Sequence, residues 1–441
     1  MILKFFLHLK TMPKRFFTHT LNNHPQRTRI TQMLTAAIKA VDPAQAVLNS
    51  LRCEGSQLSV GEKQYALNKF ERIFLIGAGK ASAPMTRAAA QILGERLTAG
   101  IVITKDGHLE VDTIPKVKML EASHPLPDAR GVAGAQEIIE LLKNTGEHDL
   151  VICLISGGGS ALLTAPTPGV KLESLRELTD QLLASGAPIH EINIIRKHLS
   201  QIKGGQLAKL ASPSTLITLI LSDVVGDSLD SIASGPTVAD SSTVADAAVI
   251  LDKYALSAPY PFVETPTLDD PIFASAQNLL VGTNQIAAEA AAKSWGTNGR
   301  ILRTDLIGEA RIVGEWLSEE AKKLPPGACW IAGGETTVTL SAESMGLGGR
   351  NQEVALAAVR GLAGIPDVML ITLATDGGDG PTDAAGAVVT GDTLARAEEL
   401  GLNPDDFLAR HDAYHFFDAL GDLLKPGPTR TNVNDIIFLI S

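Results

Sequence analysis

Five stretches of this chain set glycines directly after short apolar runs. They are Gly77-Ala78-Gly79-Lys80, Ser156-Gly157-Gly158-Gly159-Ser160, Gly333-Gly334-Glu335, Gly348-Gly349-Arg350-Asn351 and Asp376-Gly377-Gly378-Asp379. Without a Cβ, glycine leaves the backbone N–H open, and successive N–H groups in a turn form a concave anion site. Cations accompany these turns: Lys80, Arg350, and the group Arg196, Lys197 and Lys203, with Asn193 beside them. Carboxylates accompany them too, at Asp223, Asp227, Asp376 and Asp379. Glycine turns to cradle an anion, cations to neutralise it and carboxylates to hold Mg²⁺ beside phosphate oxygens together read as phosphate chemistry.

Two positions sharpen that reading. Lys80 falls at the start of a helical stretch, where a cation opposes the helix dipole and gains little stability. Its expected task is to meet a phosphate or carboxylate. Arg350 and Asn351 open another helical stretch, where an anion is favoured and a guanidinium can grip it with two N–H groups. Glu335, Gly377 and Asn434, the last within Thr431-Asn432-Val433-Asn434-Asp435, add polar groups and turns to the same half of the chain.

Better-known motifs fail on spacing. Gly77-x-Gly79-x-x-Ser82 is half of a dinucleotide fingerprint, with serine where the third glycine belongs. It is no P-loop, because too few residues separate the first glycine from the Gly-Lys pair. Ser160 has Leu162 two places on, so no nucleophile elbow forms. The acidic loop at 376–383 lacks EF-hand spacing, and the histidines have no zinc-ligand spacing.

Elements to position these residues are legible around them. Strands are expected at 70–76, 100–104, 117–122, 150–155 and 214–221, with helices at 81–93, 129–142 and 172–184 between them. This alternation implies an α/β fold with a mostly parallel, Rossmann-like sheet, whose ligands sit at the carboxyl ends of the strands. The pattern weakens over 241–271, where prolines recur. A second, smaller α/β block follows, with strands at 328–332, 336–340, 368–375 and 436–440 and a helix at 351–361.

The chain has 441 residues, enough for two or more domains, and a formal net charge of −11, which argues against a nucleic-acid surface. Its three cysteines are far apart and fit a reducing compartment. No apolar run reaches the length of a membrane span. A cytoplasmic protein without membrane or nucleic-acid partners is expected. The first 40 residues carry seven Lys or Arg and no acid. Residues 1–30 are read as a disordered extension or an over-extended start, with a mitochondrial presequence as the alternative, and regular structure is expected from about Thr31.

Taken in order, these motifs resemble the glycerate 2-kinase family, the glycerate kinases with a C-terminal MOFRL domain. The likeness also rests on His124-Pro125-x-Pro127-Asp128, Asn193-x-x-Arg196-Lys197-His198, Ser222-Asp223-Val224-x-Gly226-Asp227, Ser234-Gly235-Pro236-Thr237 and Thr375-Asp376-Gly377-x-Asp379-Gly380. It covers roughly residues 31–441. It implies a Rossmann-like domain at 31–275 and a C-terminal region at 276–441, with the MOFRL-type part at about 328–441 and the active site in the cleft. It implies ATP-dependent phosphorylation of (R)-glycerate at O2, with Mg²⁺ and with a homodimer allowed; members often carry a hydroxypyruvate reductase label, the alternative activity.

On that resemblance Lys80, Arg350 and Asp223 are the expected catalytic residues. Ser156, Gly157, Gly158, Gly159, Ser160, Asn193, Arg196 and Lys197 are expected at substrate or phosphate. Gly79, Lys203, Gly333, Gly334, Glu335, Asn351, Asp376, Gly377 and Asn434 are expected at the nucleotide, and Asp227, Asp376 and Asp379 at the metal. Which carboxylate takes the hydroxyl proton stays open among Asp223, Asp227, Asp376 and Asp379.

Overall fold

The computed structural model describes residues 16–109, 113–257, 260–340 and 346–441. The chain divides into two compact units: Pro43–Val281, and a discontinuous one that joins the residues up to Asp42 to Gly282–Ser441. Both are α/β, as the sequence pattern implies.

The Pro43–Val281 unit opens with a small antiparallel sheet of β1 (Leu51–Glu54), β2 (Gln57–Val60) and β3 (Lys63–Ala66). No strand is expected there, because four-residue strands with mixed burial leave too little pattern to read. The main sheet uses β4 (Arg72–Ala78), β5 (Ala99–Lys105), β6 (Val117–Ala122), β7 (Asp149–Ile155), β8 (Thr215–Leu221) and β9 (Ala276–Gly282), in the order β6-β5-β4-β7-β8-β9. The β6, β5, β4, β7 and β8 strands run parallel. Every residue of β7 is buried, the signature of a strand covered on both faces. Helices Ser82–Leu93 and Ala129–Leu142 make crossovers, the latter capped by Asp128, whose side chain accepts from Gly131 N–H. Strand order reverses between β4 and β7, so the crevice of this sheet opens at their carboxyl ends. Those two ends carry the first two glycine turns.

The other unit holds β10 (Gly299–Leu306), β11 (Cys329–Gly334), β12 (Met369–Ala374), β13 (Gly386–Thr390), β14 (Leu423–Leu424) and β15 (Asp435–Ile440). Their order is β10-β11-β15-β12-β13-β14. β10 and β11 are parallel, and the remaining pairs are antiparallel. The expected strand at 336–340 does not form; Thr337 makes an isolated bridge to Glu309 instead.

Regular structure starts well before Thr31. Helices occupy His19–Asn23 and Arg27–Ala40. The basic residues of this segment are used in packing: Arg29 lies 3.8 Å from the Trp295 ring and donates to its carbonyl at 2.6 Å. Thr20 donates to the buried carboxylate of Asp422, and the Thr431 hydroxyl donates to Val41 O. Residues 16–30 therefore belong to the unit that contains Gly282–Ser441, not to an unstructured extension; 1–15 lie outside the described residues. The unit boundary falls at 281/282 rather than 275/276, because β9 is the last strand of that sheet.

Candidate functional site

At the crevice of the parallel sheet the loops after β4 and β7 are joined by their backbones. Ser156 N–H donates to Ala78 O at 3.1 Å, and Lys80 N–H donates to Gly157 O at 2.9 Å. Ala81 N–H donates to the Ser156 hydroxyl at 3.0 Å. A Cβ on Gly79 would lie 2.0 Å from Ser156 Oγ, and one on Gly77 would lie 2.4 Å from Leu154 O. Both glycines are thus required by the approach of one loop to the other. The amides of Lys80 and Ala81, which a dinucleotide fold would offer to a pyrophosphate, are taken up inside the protein.

The triple glycine is different. Gly158 is left-handed, with φ 83°, and Gly159 N–H turns back to Ser156 O at 3.2 Å. Among the described residues the N–H groups of Gly157, Gly158 and Ser160 have no acceptor. Side chains ring this loop. A Cβ on Gly157 would lie 2.0 Å from Asp223 Oδ2, and one on Gly158 would lie 3.3 Å from Lys80 Cε and 3.0 Å from His124 Nε2. Burial pushes the Asp223 carboxyl up, and the charge of Lys80 only partly opposes this. Asp227 is raised by burial as well, against a hydrogen bond from Ser222.

Gly157→Ala is therefore expected to displace Asp223. The expected loss is about a hundredfold in kcat/KM, the scale of a misplacement near 1 Å. Turnover measured on the soluble variant checks this.

The cations expected in this region divide in two. Lys197 is buried and pairs with Asp240 at 3.0 Å and Asp230 at 3.6 Å. Lys203 is buried too and donates to the carbonyls of Ser160 at 2.7 Å and Leu163 at 3.1 Å. Burial, with Arg196 nearby, pulls its ammonium down to about 7. Buried charges need such partners, so these two lysines brace the loop framework rather than present a free charge to substrate or nucleotide. Arg196 is half-buried, and among the described residues its guanidinium has no acceptor. Asn193 and Ser160 are linked through Ser234, with Ser160 Oγ 2.9 Å from Ser234 Oγ and Ser234 Oγ donating to Asn193 Oδ1 at 3.4 Å.

In the Gly282–Ser441 part, Gly333 has no room for a side chain, since its Cβ would lie 1.9 Å from Asn284 Oδ1. Gly334, with φ 145°, packs on Leu306. Arg350 donates from Nε and a terminal nitrogen to Asp435 at 2.6 and 3.2 Å, and to Glu335 at 2.8 Å. Its side chain stays 33% exposed, so two of its five N–H donors remain.

The sequence pattern offers the N-terminus of helix Arg350–Leu362 to an anion. The protein fills that place itself: Asp379 accepts from Asn351 N–H at 3.1 Å and from Gln352 N–H and Nε2 at 2.9 and 3.0 Å. Burial and the neighbouring Asp435 push the Asp379 carboxyl up to about 6. Asp379 thus caps a helix and is not free to bind metal. Asp376 is exposed and accepts from Gly378 N–H at 3.1 Å. Gly377 packs on Gly427 O, and Asn434 O accepts from Thr375 N–H and Oγ1. Among the described residues no group of three His, Cys, Asp or Glu could hold a metal ion.

Two residues of these sites were not assigned from sequence. His124 follows β6 at the same end of the sheet as the glycine turns, and its place after a strand is the signal that could have found it. Asp435, the anchor of Arg350, opens the last strand, and only the fold brings the two together.

Comparison with known proteins places the chain among relatives. Residues 29–264 match the family described as a domain of unknown function, DUF4147, and residues 328–435 match the MOFRL family. A Pyrococcus horikoshii protein named glycerate 2-kinase is 39% identical, over 93% of this chain and 96% of its own length. An Agrobacterium vitis protein with the provisional name hydroxypyruvate reductase is 42% identical, over 95% of each chain. The crystal structure of a glycerate kinase from Thermotoga maritima aligns with a TM-score of 0.85 at 38% identity, over 94% of this chain and 98% of that one.

Proposed function

The chain belongs to the glycerate 2-kinase family, built from a DUF4147 region and a MOFRL domain, and from that premise we propose that it phosphorylates (R)-glycerate at its 2-hydroxyl with ATP. The products are 2-phospho-D-glycerate and ADP. One observation supports this most: the triple-glycine loop, with its open N–H groups, packs against the half-buried Asp223 carboxylate at Gly157 and against Lys80 at Gly158.

Phosphoryl transfer requires positioning and charge neutralisation more than covalent chemistry. In this reading Lys80, Arg196 and the amides of Gly157, Gly158 and Ser160 neutralise the phosphoryl oxygens in transit. Asp223 accepts the proton of the 2-hydroxyl as that oxygen attacks phosphorus; burial makes this carboxylate a stronger base than an exposed one. The turns around Gly333, Gly334, Glu335, Gly377 and Asn434 are assigned to the nucleotide, whose phosphates the two remaining donors of Arg350 would meet; the Asn351 N–H is already held by Asp379. Mg²⁺ carried by nucleotide phosphates draws on one or two carboxylates at most; Asp227 or Asp376 would supply one, and the ion would neutralise phosphate charge. A cytoplasmic enzyme, with a homodimer allowed, fits the same reading. Among the described residues no helix is long and apolar enough to cross a membrane.

A reductase would need a dinucleotide site, and the amides after β4 are already taken up by the loop after β7. Purified protein is expected to release ADP from ATP only when D-glycerate is present, and to leave NAD(P)H unoxidised with hydroxypyruvate. Hydroxypyruvate-dependent oxidation without ATP use would sink the proposal.

A further inference from the structure

We infer that the carboxylate of the acceptor is held beside the His124 ring, where it and Lys80 flank Gly158, with a ring N–H of His124 donating to one carboxylate oxygen. The inference rests on the kinase reading and adds the acceptor's subsite to it. His124 follows β6, and its ring fills the space above Gly158 that a side chain there would need: a Cβ would come 2.8 Å from Cδ2 and 3.0 Å from Nε2. Among the described residues neither ring nitrogen has a hydrogen-bond partner.

The charged groups that act on His124 are Lys80, Lys105 and His108, all cationic or able to become so. Burial and these three groups hold the imidazole down to about 4, so it is neutral near pH 7. Among the described residues the carboxylates of this rim other than Asp223 are engaged elsewhere. Asp106 and Asp128 each lie 2.6 Å from Arg130, and Glu121 accepts from Gly107 N–H at 2.9 Å. His108 uses Nδ1 against Lys80 O at 2.9 Å, which leaves Nε2 open. Two ammonium groups and an unpartnered imidazole, with the described carboxylates of this rim other than Asp223 engaged, favour an anion.

The kind of anion follows from the donors. A phosphoryl group in transit spreads charge over three oxygens and calls for convergent amides and cations, which the glycine loop and Lys80 offer. A neutral imidazole adds one directed N–H and no charge, which suits one oxygen of a planar carboxylate beside an ammonium.

The test compares His124→Gln, which keeps an N–H donor, with His124→Leu, which keeps the bulk alone. For H124L the KM for D-glycerate is expected to rise about ten- to a hundredfold, the scale of one hydrogen bond to a charged group. The KM for ATP is expected to stay within about twofold, the scale on which a group that does not touch the nucleotide acts. H124Q is expected to recover part of the loss. With (R)-glyceramide, whose amide oxygen is an uncharged acceptor, the gap between H124L and wild type is expected to shrink to about two- to tenfold. Calorimetric titration of D-glycerate without nucleotide gives the same ranking independently of turnover. An unchanged glycerate KM in H124L, or a shift in ATP KM instead, overturns the inference. A wild-type protein that does not phosphorylate glycerate at all defeats the kinase reading instead, so the two failures are distinct.

Discussion

Lys80→Ala is expected to lower kcat about a hundred- to a thousandfold, the usual effect of removing one preorganised charge from a transition state. The two buried lysines of this region cannot substitute. Lys197 and Lys203 are near in sequence to the free Arg196, yet one is held by Asp240 and Asp230 and the other by two carbonyls. The Lys80 side chain reaches the triple glycine instead, beside the space above Gly158. Its own N–H holds Gly157 O through the backbone, a contact that alanine keeps. The loop should therefore survive the substitution, and the Tm of Lys80→Ala should stay near wild type while kcat collapses. Steady-state kinetics beside a melting curve check both, and near-normal turnover would remove Lys80 from the mechanism.

Asp223→Asn is expected to cost about a hundred- to ten-thousandfold in kcat, the range for loss of a general base. The pH profile gives the sharper reading. A base must be unprotonated, so wild-type kcat/KM should fall as pH drops through the Asp223 pKa. Burial sets that pKa above the ordinary carboxylate range, and Lys80 holds it down in part. Two consequences follow with definite sign. The acid limb should vanish in Asp223→Asn, and it should move to higher pH in Lys80→Ala, where the opposing cation is gone. Stability moves the other way. A carboxyl raised on folding favours the protonated form, so its contribution is full below the unfolded pKa and is lost as pH rises through the folded one. At neutral pH the ionised Asp223 is a burden on the fold, and Asp223→Asn should melt no lower than wild type. An unchanged acid limb in Asp223→Asn would assign the proton to another group.

Much of this site is legible in the sequence because its elements are simple. β7 is a continuous apolar run that ends in three glycines, and a strand covered on both faces leaves that pattern. Lys80 stands out because a cation at a helix start has no stabilising role there. Other parts depend on distant partners. Nothing near Lys197 announces Asp240, and nothing near Lys203 announces the carbonyl of Ser160. Asp379 reads as a metal ligand in an acidic glycine-rich loop, but the fold delivers it to the N-terminus of helix Arg350–Leu362, where three N–H groups take it. The segment before Thr31 shows basic residues without acids and looks unstructured. The order of its residues 16–30 comes from partners such as Trp295 and Asp422, which lie hundreds of positions away. Local pattern shows which residues carry charge and where turns fall, whereas whether a charge is free or already paired is a property of the fold.

The central claim is transfer of phosphate from ATP to the 2-hydroxyl of glycerate. Phosphorus NMR of the product from wild-type protein, ATP and D-glycerate tests it most directly. Phosphorus coupled to the single methine proton of C2 is the predicted result, together with one ADP per product formed. Phosphorus coupled to the two methylene protons of C3, or no phosphorylated acid at all, would contradict it.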